Sequence, residues 1–468
     1  MSLQFYNTAS RKKEEFTLPE GVEAVRIYCC GPTVYHYAHI GNLRTYIFED
    51  VLRRTLEYYG FKVKHVVNIT DVGHLTSDAD EGDDKMEKGA ARTGKSVWEV
   101  AEFYTKAFME DLNNLNILQP SVWCKATDHI GDQIALVKSL EDKGYTYRTS
   151  DGIYFDSLKF PRYADFARLD VENLRRGSRI DMGEKHSATD FALWKFSPVD
   201  KKRAMEWDSP WGIGFPGWHI ECSAMAMKHL GPTLDIHCGG TDHIRVHHTN
   251  EIAQSECSTG QTFARFWMHG EFLRLSGDKM SKSSGEFLTL SLLMDKGFNP
   301  LDYRIFAYTS HYRNYLNFNW EALESARDAN KSLHKKTDPL IGKATAIESE
   351  AARKFKQDFK EALGDDLNVP KALGVFNSML RSDLPEGERA ALVQDFDKVL
   401  GLRLDIPREE FEKKQDNVDT AKIKALIEER TLARKAKNWA ESDRIRDELA
   451  AMGVAIKDSP TETTWQLK

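Results

Sequence analysis

Residues 23–30, EAVRIYCC, alternate apolar and polar side chains with the period of two expected of a short strand. Gly31-Pro32 ends the alternation. From Asn42 to Tyr59 the apolar residues Leu43, Tyr46, Ile47, Val51, Leu52 and Leu56 recur with a helical period, which Gly60 closes. Residues 62–69, KVKHVVNI, return to strand patterning. Strand, loop, helix, strand is the opening of a doubly wound α/β domain. Residues 78–95 are rich in Asp, Glu, Gly and Lys and predict an exposed loop, while the stretch from about 120 to 215 carries scattered aromatics with Gly and Pro, as an insertion would. The α/β pattern resumes with TLDIHCGG at 233–240, a helix near 247–258 and a strand around 265–273. Beyond residue 300 the pattern is mostly helical and charged through 450, broken near Asn368-Val369-Pro370 and over 403–420, and the last residues, MGVAIKDSPTETTW, suit a small hairpin.

A chain of 468 residues divides into about two to four domains. No apolar run approaches the roughly 18 residues of a membrane helix, and MSLQFYNTASRKKEEF lacks the apolar core of a secretory signal. The expected setting is therefore cytoplasmic, with no membrane. A net charge of −7 argues weakly against a nucleic-acid partner, because a local basic stripe can operate within an acidic whole. One such stretch is 422–446, with Lys422, Lys424, Arg430, Arg434, Lys435, Lys437, Arg444 and Arg446 among acids; a solvated mixed-charge face is the plainer account of any one of them. The six cysteines, at 29, 30, 124, 222, 238 and 257, form no CxxC pair, so a disulfide framework is not expected.

Three stretches carry chemistry. His39-Ile40-Gly41-Asn42 stands where the first strand hands over to its helix, the end of an α/β sheet at which ligands bind. A helix N-terminus attracts phosphate, Gly41 allows close approach, and His36 and His39 can donate to phosphate oxygens. Lys279-Met280-Ser281-Lys282-Ser283 lies in a Gly/Ser-rich loop suited to an anion whose charge grows during reaction. His247 and Glu251 are four apart in an expected helix and share a face, a spacing familiar from metal-binding helices. Spacing alone more often marks a polar helix face. Softer ligands for such a metal are available in Cys30, at the end of the first strand, and Cys222, in WHIEC.

HIGN and KMSKS, in this order on opposite halves of one sheet, are the two signatures of class I aminoacyl-tRNA synthetases. With CCGPTVYHYAHIGNLRTYIFED, VVNITDVGH, DFALWK, WDSPWG, PGWHIECSAM, LDIHCGG, HHTNEIAQSEC, HYRNYLNF, DDLNVPKAL and the C-terminal LARKAKNWAESDRIRDELAAMGVAIKDSPTETTW, the chain resembles cysteinyl-tRNA synthetases along nearly its whole length. The resemblance implies an α/β fold: a class I Rossmann-type catalytic domain with an insertion, then a mostly helical C-terminal region with a small mixed α/β end. Its expected divisions are 1–120 and 216–300 for the two halves of the catalytic domain, 121–215 for the connective insertion, 301–400 for a helical bundle and 401–468 for an anticodon-binding domain.

It further implies one zinc per chain on Cys30, Cys222, His247 and Glu251, with Cys29, Cys238 and His248 as structural neighbours. ATP, accompanied by Mg²⁺, would be held by Thr33, His36, His39, Gly41, Asn42 and Lys282, with His39, Asn42, Lys279 and Lys282 serving catalysis. Trp218 would wall the amino-acid pocket, and Thr70, His237 and Asp242 would contact L-cysteine or its adenylate. The other partner would be cysteine tRNA, and the working unit a monomer. Two positions depart from the family's usual text: Asn42 stands where a His is usual, and Thr249 replaces a carboxylate. Two other readings compete, a ligase that passes activated cysteine to an amine and an inactive paralog acting as a binding module. The long C-terminal match speaks against the first, and the intact motifs against the second.

Overall fold

The computed structural model describes residues 2–74, 84–169, 183–198, 202–275, 287–410, 420–435, 438–451, 454–458 and 463–467. They fall into two compact units, Met1–Asp405 and Ile406–Lys468. Unit one opens with an antiparallel hairpin, β1 (Gln4–Asn7) and β2 (Lys12–Glu15). The expected strand follows as β3 (Val25–Cys29), then helix α1 (Ile40–Tyr58) and strand β4 (Val63–Ile69). Helices α2 (Lys85–Thr93) and α3 (Val97–Asn114), strand β5 (Val122–Lys125) and helix α4 (Ile130–Asp142) complete the first half. An antiparallel sheet of β6 (Thr146–Arg148), β7 (Gly152–Phe155), β8 (Phe191–Phe196) and β9 (Gly214–Pro216) then intervenes. The second half brings α5 (Trp218–Leu230), β10 (Leu234–Gly240), α6 (His247–Thr259), β11 (Ala264–Gly270) and β12 (Leu273–Leu275). The remainder is α7 (Leu290–Asp295), α8 (Pro300–Tyr308), β13 (Leu316–Phe318), α9 (Trp320–Thr337), α10 (Glu350–Gly364), α11 (Val369–Leu380) and α12 (Glu386–Leu400).

The central sheet is parallel, in the order β11-β10-β3-β4-β5. Beginning in the middle at β3, the chain builds outward through β4 and β5, then returns to the other side of β3 with β10 and β11. The carboxyl ends of β3 and β10 therefore flank the topological switch point, where open α/β sheets bind ligands. Alternation along the strands divides the core in two. Ile27 and Cys29 of β3 face a core built with α1, α3 and the helices beyond 290, whereas Tyr28 and the following Cys30 face a second core built with α4, α5, α6 and the insertion.

Two expectations are corrected. The charged stretch read as a loop over 78–95 contains α2, whose first N–H groups are capped by the Asp84 carboxylate; residues 75–83 lie outside the described residues. Its inward face amounts to little more than Met86, so the hydrophobic pattern was too thin to reveal it. The stretch assigned to the insertion from 121 includes β5, which pairs in parallel with β4 from Val66↔Val122 to Ile69↔Lys125. Four residues of mixed polarity, VWCK, are too few for an alternation to be read.

Unit two holds α13 (Thr420–Lys435), α14 (Trp439–Ala451) and the expected hairpin, β14 (Val454–Asp458) with β15 (Thr463–Leu467). Its core is Leu426, Ile445, Leu449 and Val454, with Trp465 packed against it. Among the described residues no helix is long and apolar enough to cross a membrane.

Candidate active site and metal centre

Four chain segments converge behind the switch point. Cys30 follows β3 and is tied to β10 by its N–H, which donates to the Cys238 carbonyl at 3.3 Å. Cys222 sits in the second turn of α5, and His247 and Glu251 project from the same face of α6. Ligand atoms of Cys30, Cys222, His247 and Glu251 all lie within 4.8 Å of one another, and all four side chains are buried. The sequence had paired His247 and Glu251 by helical spacing and offered Cys30 and Cys222 as available softer ligands, which resemblance made one set; the fold joins all four.

A second set, Cys30, His237, His248 and Glu251, meets the same distance criterion. His237 Nε2 lies 2.8 Å from Glu251 Oε2 and His248 Nε2 lies 3.4 Å from Cys30 Sγ. His248 was expected to be a bystander. It is three residues from Glu251, as near on a helix face as the four that separate His247, so spacing could not rank the two. Their other ring nitrogens are both engaged, by different partners. His248 Nδ1 is engaged at 2.8 Å by His269, itself 2.8 Å from the Thr8 hydroxyl, whereas His247 Nδ1 meets His219 at 2.9 Å. Cys29 lies on the opposite face of β3 with His65 Nε2 3.2 Å from its sulfur, away from either set. A further group in the insertion, Asp156, His186 and Asp190, is a poorer one. Both Asp190 oxygens already accept two hydrogen bonds each, from Ser157 N–H and Oγ and from Tyr147 and Ser187.

Electrostatics couples the four groups, favouring the ionised forms of Cys222 and Glu251 and the protonated forms of Cys30 and His247. The hydrogen bond from Cys30 outweighs burial and pushes the Cys222 thiol down to about 6. Burial, then Cys222 and Glu251, push the Cys30 thiol up. Burial opposes a charge on His247, but Cys222 and Glu251 prevail and raise it to about 10. Burial would raise Glu251, yet His237 and His247 hold it well below the usual carboxylate range. Two sulfurs, an imidazole and a carboxylate, gathered in one dry cluster, form a donor set that fits a borderline-soft dication. Binding one would displace the protons the site now carries.

Trp218, at the start of α5, packs its ring 4.6 Å from that of His247 and borders the cluster. Thr70 donates to Glu221 Oε2 at 3.2 Å, and Thr33 bridges to Thr70 across the parallel strand ends. Glu221 also binds His74 at 2.6 Å; neither had been singled out, although both lie in WHIEC and VVNITDVGH.

At the mouth, His39 caps α1. Its Nδ1 accepts from Asn42 N–H at 3.1 Å, and Asn42 Oδ1 accepts from His39 N–H at 3.2 Å. The residue that departs from the family's usual His thus completes a capping box. Gly41 lies beneath the imidazole, where a Cβ would come within 2.9 Å of Nδ1. His36 stacks on Tyr104, its ring centroid 5.9 Å away. Exposed Asp242, after β10, acts electrostatically on His39, so the two halves of the fold meet across this mouth. Lys279 and Lys282 lie outside the described residues.

A profile of the tRNA synthetases class I (C) catalytic domain matches residues 17–328, and one of the Cysteinyl-tRNA ligase anticodon binding domain matches residues 420–465. Cysteine–tRNA ligase 1 of Burkholderia lata is 52% identical over 464 residues, 98% of this chain and 96% of its own. The chain belongs to the cysteine–tRNA ligases. These are class I aminoacyl-tRNA synthetases, and the activity is ligation of cysteine to tRNA. Cysteine–tRNA ligase of Treponema denticola is 45% identical over 493 residues, spanning both chains completely. Among solved structures, methionyl-tRNA synthetase of Mycobacterium tuberculosis in complex with methionyl-adenylate covers 81% of this chain and 90% of its own at a TM-score of 0.55 and 14% identity, a likeness of fold alone.

Unit two, which contains the anticodon-domain match, tempers the expected basic stripe. Arg430 is buried, Arg444 pairs with Glu441 and Glu448, and Arg446 faces Asp443 at 3.5 Å. For Arg444 and Arg446 the mixed-charge face is the better description, and buried Arg430 is part of no exposed stripe. The side chains of Lys422, Lys424, Lys435 and Lys437 lie outside the described residues.

Proposed function

We propose that this cysteine–tRNA ligase selects its amino acid through one zinc ion held by Cys30, Cys222, His247 and Glu251. The carrying observation is the buried convergence of two thiols, an imidazole and a carboxylate at the carboxyl ends of β3 and β10. His237 steadies the second oxygen of Glu251, and His219 occupies the outer nitrogen of His247, leaving Nε2 for the metal. Serine and cysteine are near-isosteres that an ordinary pocket separates poorly; zinc favours a thiolate over a hydroxyl. Trp218 walls a small pocket beside the metal, with Thr70, His237 and Asp242 at its border.

In the first step the cysteine carboxylate attacks the ATP α-phosphorus and pyrophosphate leaves. That carboxylate is ionised at neutral pH, so no general base is needed. Thr33, His36, His39, Gly41 and Asn42 hold the nucleotide at the N-terminus of α1, whose dipole favours phosphate. With its Oδ1 engaged in the cap, Asn42 offers the nucleotide its amide N–H₂. Lys279 and Lys282 stabilise charge growing on the leaving group, with Mg²⁺ accompanying the ATP. In the second step a terminal ribose hydroxyl of the tRNA attacks the adenylate carbonyl and releases AMP. The divisions at 1–120, 121–215, 216–300, 301–400 and 401–468 remain a working scheme, with residues 122–142 reassigned to the catalytic core.

The test is single-turnover adenylate formation by Lys282→Ala. The rate should fall on the order of 10²–10³-fold with little change in cysteine affinity, because the contact is made to charge that develops in the transition state. A wild-type rate would reject the role of Lys282.

A further inference from the structure

Gly31 follows one proposed thiol ligand and Glu221 precedes the other, and a buried line of hydrogen bonds joins them. The Gly31 N–H donates to Asn68 Oδ1 at 2.7 Å, Asn68 Nδ2 to the Thr70 hydroxyl at 3.0 Å, and that hydroxyl to Glu221 Oε2 at 3.2 Å. His74 Nε2 closes the line on Glu221 Oε1 at 2.6 Å. Asn68, Thr70, His74 and Glu221 are each at most 4% exposed. The direction of the line is fixed at both ends. A backbone N–H can only donate, which turns the Asn68 carbonyl toward Gly31 and its amide toward Thr70; a carboxylate paired with an imidazole accepts, which takes the Thr70 proton. Thr70 is also held by its backbone, since its N–H donates to Pro32 O at 3.0 Å and its carbonyl accepts from Val34 N–H at 3.2 Å. It therefore ties the segment that follows Cys30 to the helix turn that carries Cys222.

We propose that Asn68 and Thr70 are positioning residues that hold the backbones of Cys30 and Cys222 together for metal binding. Their role presupposes the ligand set proposed above. Any buried polar group needs a partner, so such a line can serve burial alone. What marks this one is where it begins and ends. It starts on the peptide bond that Cys30 makes with Gly31 and stops one residue before Cys222, joining β3 to α5, which lie far apart in sequence. Contacts outside a metal's ligands set how firmly those ligands stand.

The test is release of zinc from the full-length, zinc-loaded chain into a chromogenic chelator, for wild type, Thr70→Ser, Thr70→Val, Asn68→Leu and the Thr70→Val/Asn68→Leu double variant. Valine and leucine nearly keep the shape and remove the links, whereas serine keeps the hydroxyl. Thr70→Val and Asn68→Leu should each release zinc roughly 10–100-fold faster, the scale of disturbing a ligand's supports. Thr70→Ser should stay within about 3-fold of wild type, and the double variant within about 3-fold of the faster single one, because cutting one line twice is not additive. Urea titration of the metal-free chains reads stability separately. Wild-type release from Thr70→Val with a lowered unfolding midpoint would overturn the role and leave burial as the function of the line. Costs that multiply in the double variant, or a serine form as fast as the valine form, would overturn it too. Cys222→Ser tells this failure from that of the ligand set. Fast release there with wild-type release from Thr70→Val rejects the positioning role alone; wild-type release from Cys222→Ser rejects the ligand set and the role of Asn68 and Thr70 with it.

Discussion

At the scale of single residues, the candidate metal centre depends on which way each side chain leaves its strand or helix. Cys29 and Cys30 are adjacent in sequence yet face different cores, so only one can reach α5 and α6. Replacing Cys222 by Ser removes a soft donor and should lower metal affinity by at least the 10–100-fold seen on disturbing a site's supporting contacts, raising the KM for cysteine as well. Metal analysis with steady-state kinetics checks this; full occupancy and an unmoved KM would remove Cys222 from the ligand set. His65 makes a separate prediction. Burial, aided by Arg53, lowers it from 6.5 to about 3. Below about pH 6.5 the unfolded chain takes up a proton that the folded one refuses, so this contribution is complete above that pH and is lost progressively toward pH 3, at up to ~1.4 kcal/mol per unit. His65→Leu should flatten the acid limb of the urea-unfolding midpoint by about one proton, and an unchanged slope would contradict it.

At the scale of elements, close approach of β3 and β4 fixes the neighbourhood of Cys30. Gly31 N–H donates to Asn68 Oδ1 at 2.7 Å, and a Cβ on Gly31 would stand 1.6 Å from the Asn68 carbonyl oxygen. Gly31→Ala must part the strand ends, costing about 1–3 kcal/mol and lowering metal retention together; urea titration and metal analysis of one preparation test the pairing of the two losses. The elements around this point were legible because each is long and periodic: β3, α1, β4, β10 and α6 all stand where the alternation predicted them. The helix α2 was not, because what fixes it is distant. Its capping Asp84 pairs with Arg203 across the fold, a contact no local pattern encodes. The candidate site was legible in the same proportion. Spacing reached His247 and Glu251, but the competing His237 and His248 emerged only once β10 was laid beside β3.

At the scale of the molecule, the two units have separate cores, and the two family matches fall on different ones. Unit one contains every described residue proposed for amino-acid activation. A chain ending at Asp405 should keep cysteine-dependent pyrophosphate exchange within a few-fold of wild type and lose tRNA charging. A truncation that charges tRNA as well as the whole chain would refute this division. The central claim, that a metal on Cys30, Cys222, His247 and Glu251 selects sulfur over oxygen, is tested most directly by pyrophosphate exchange of the full chain with cysteine and with serine, before and after chelation and after zinc is restored. The account predicts one zinc per chain, exchange with cysteine and none above background with serine, loss of the cysteine reaction on chelation and its return with zinc. Exchange with serine at a comparable rate, or undiminished cysteine exchange in metal-free enzyme, would contradict it.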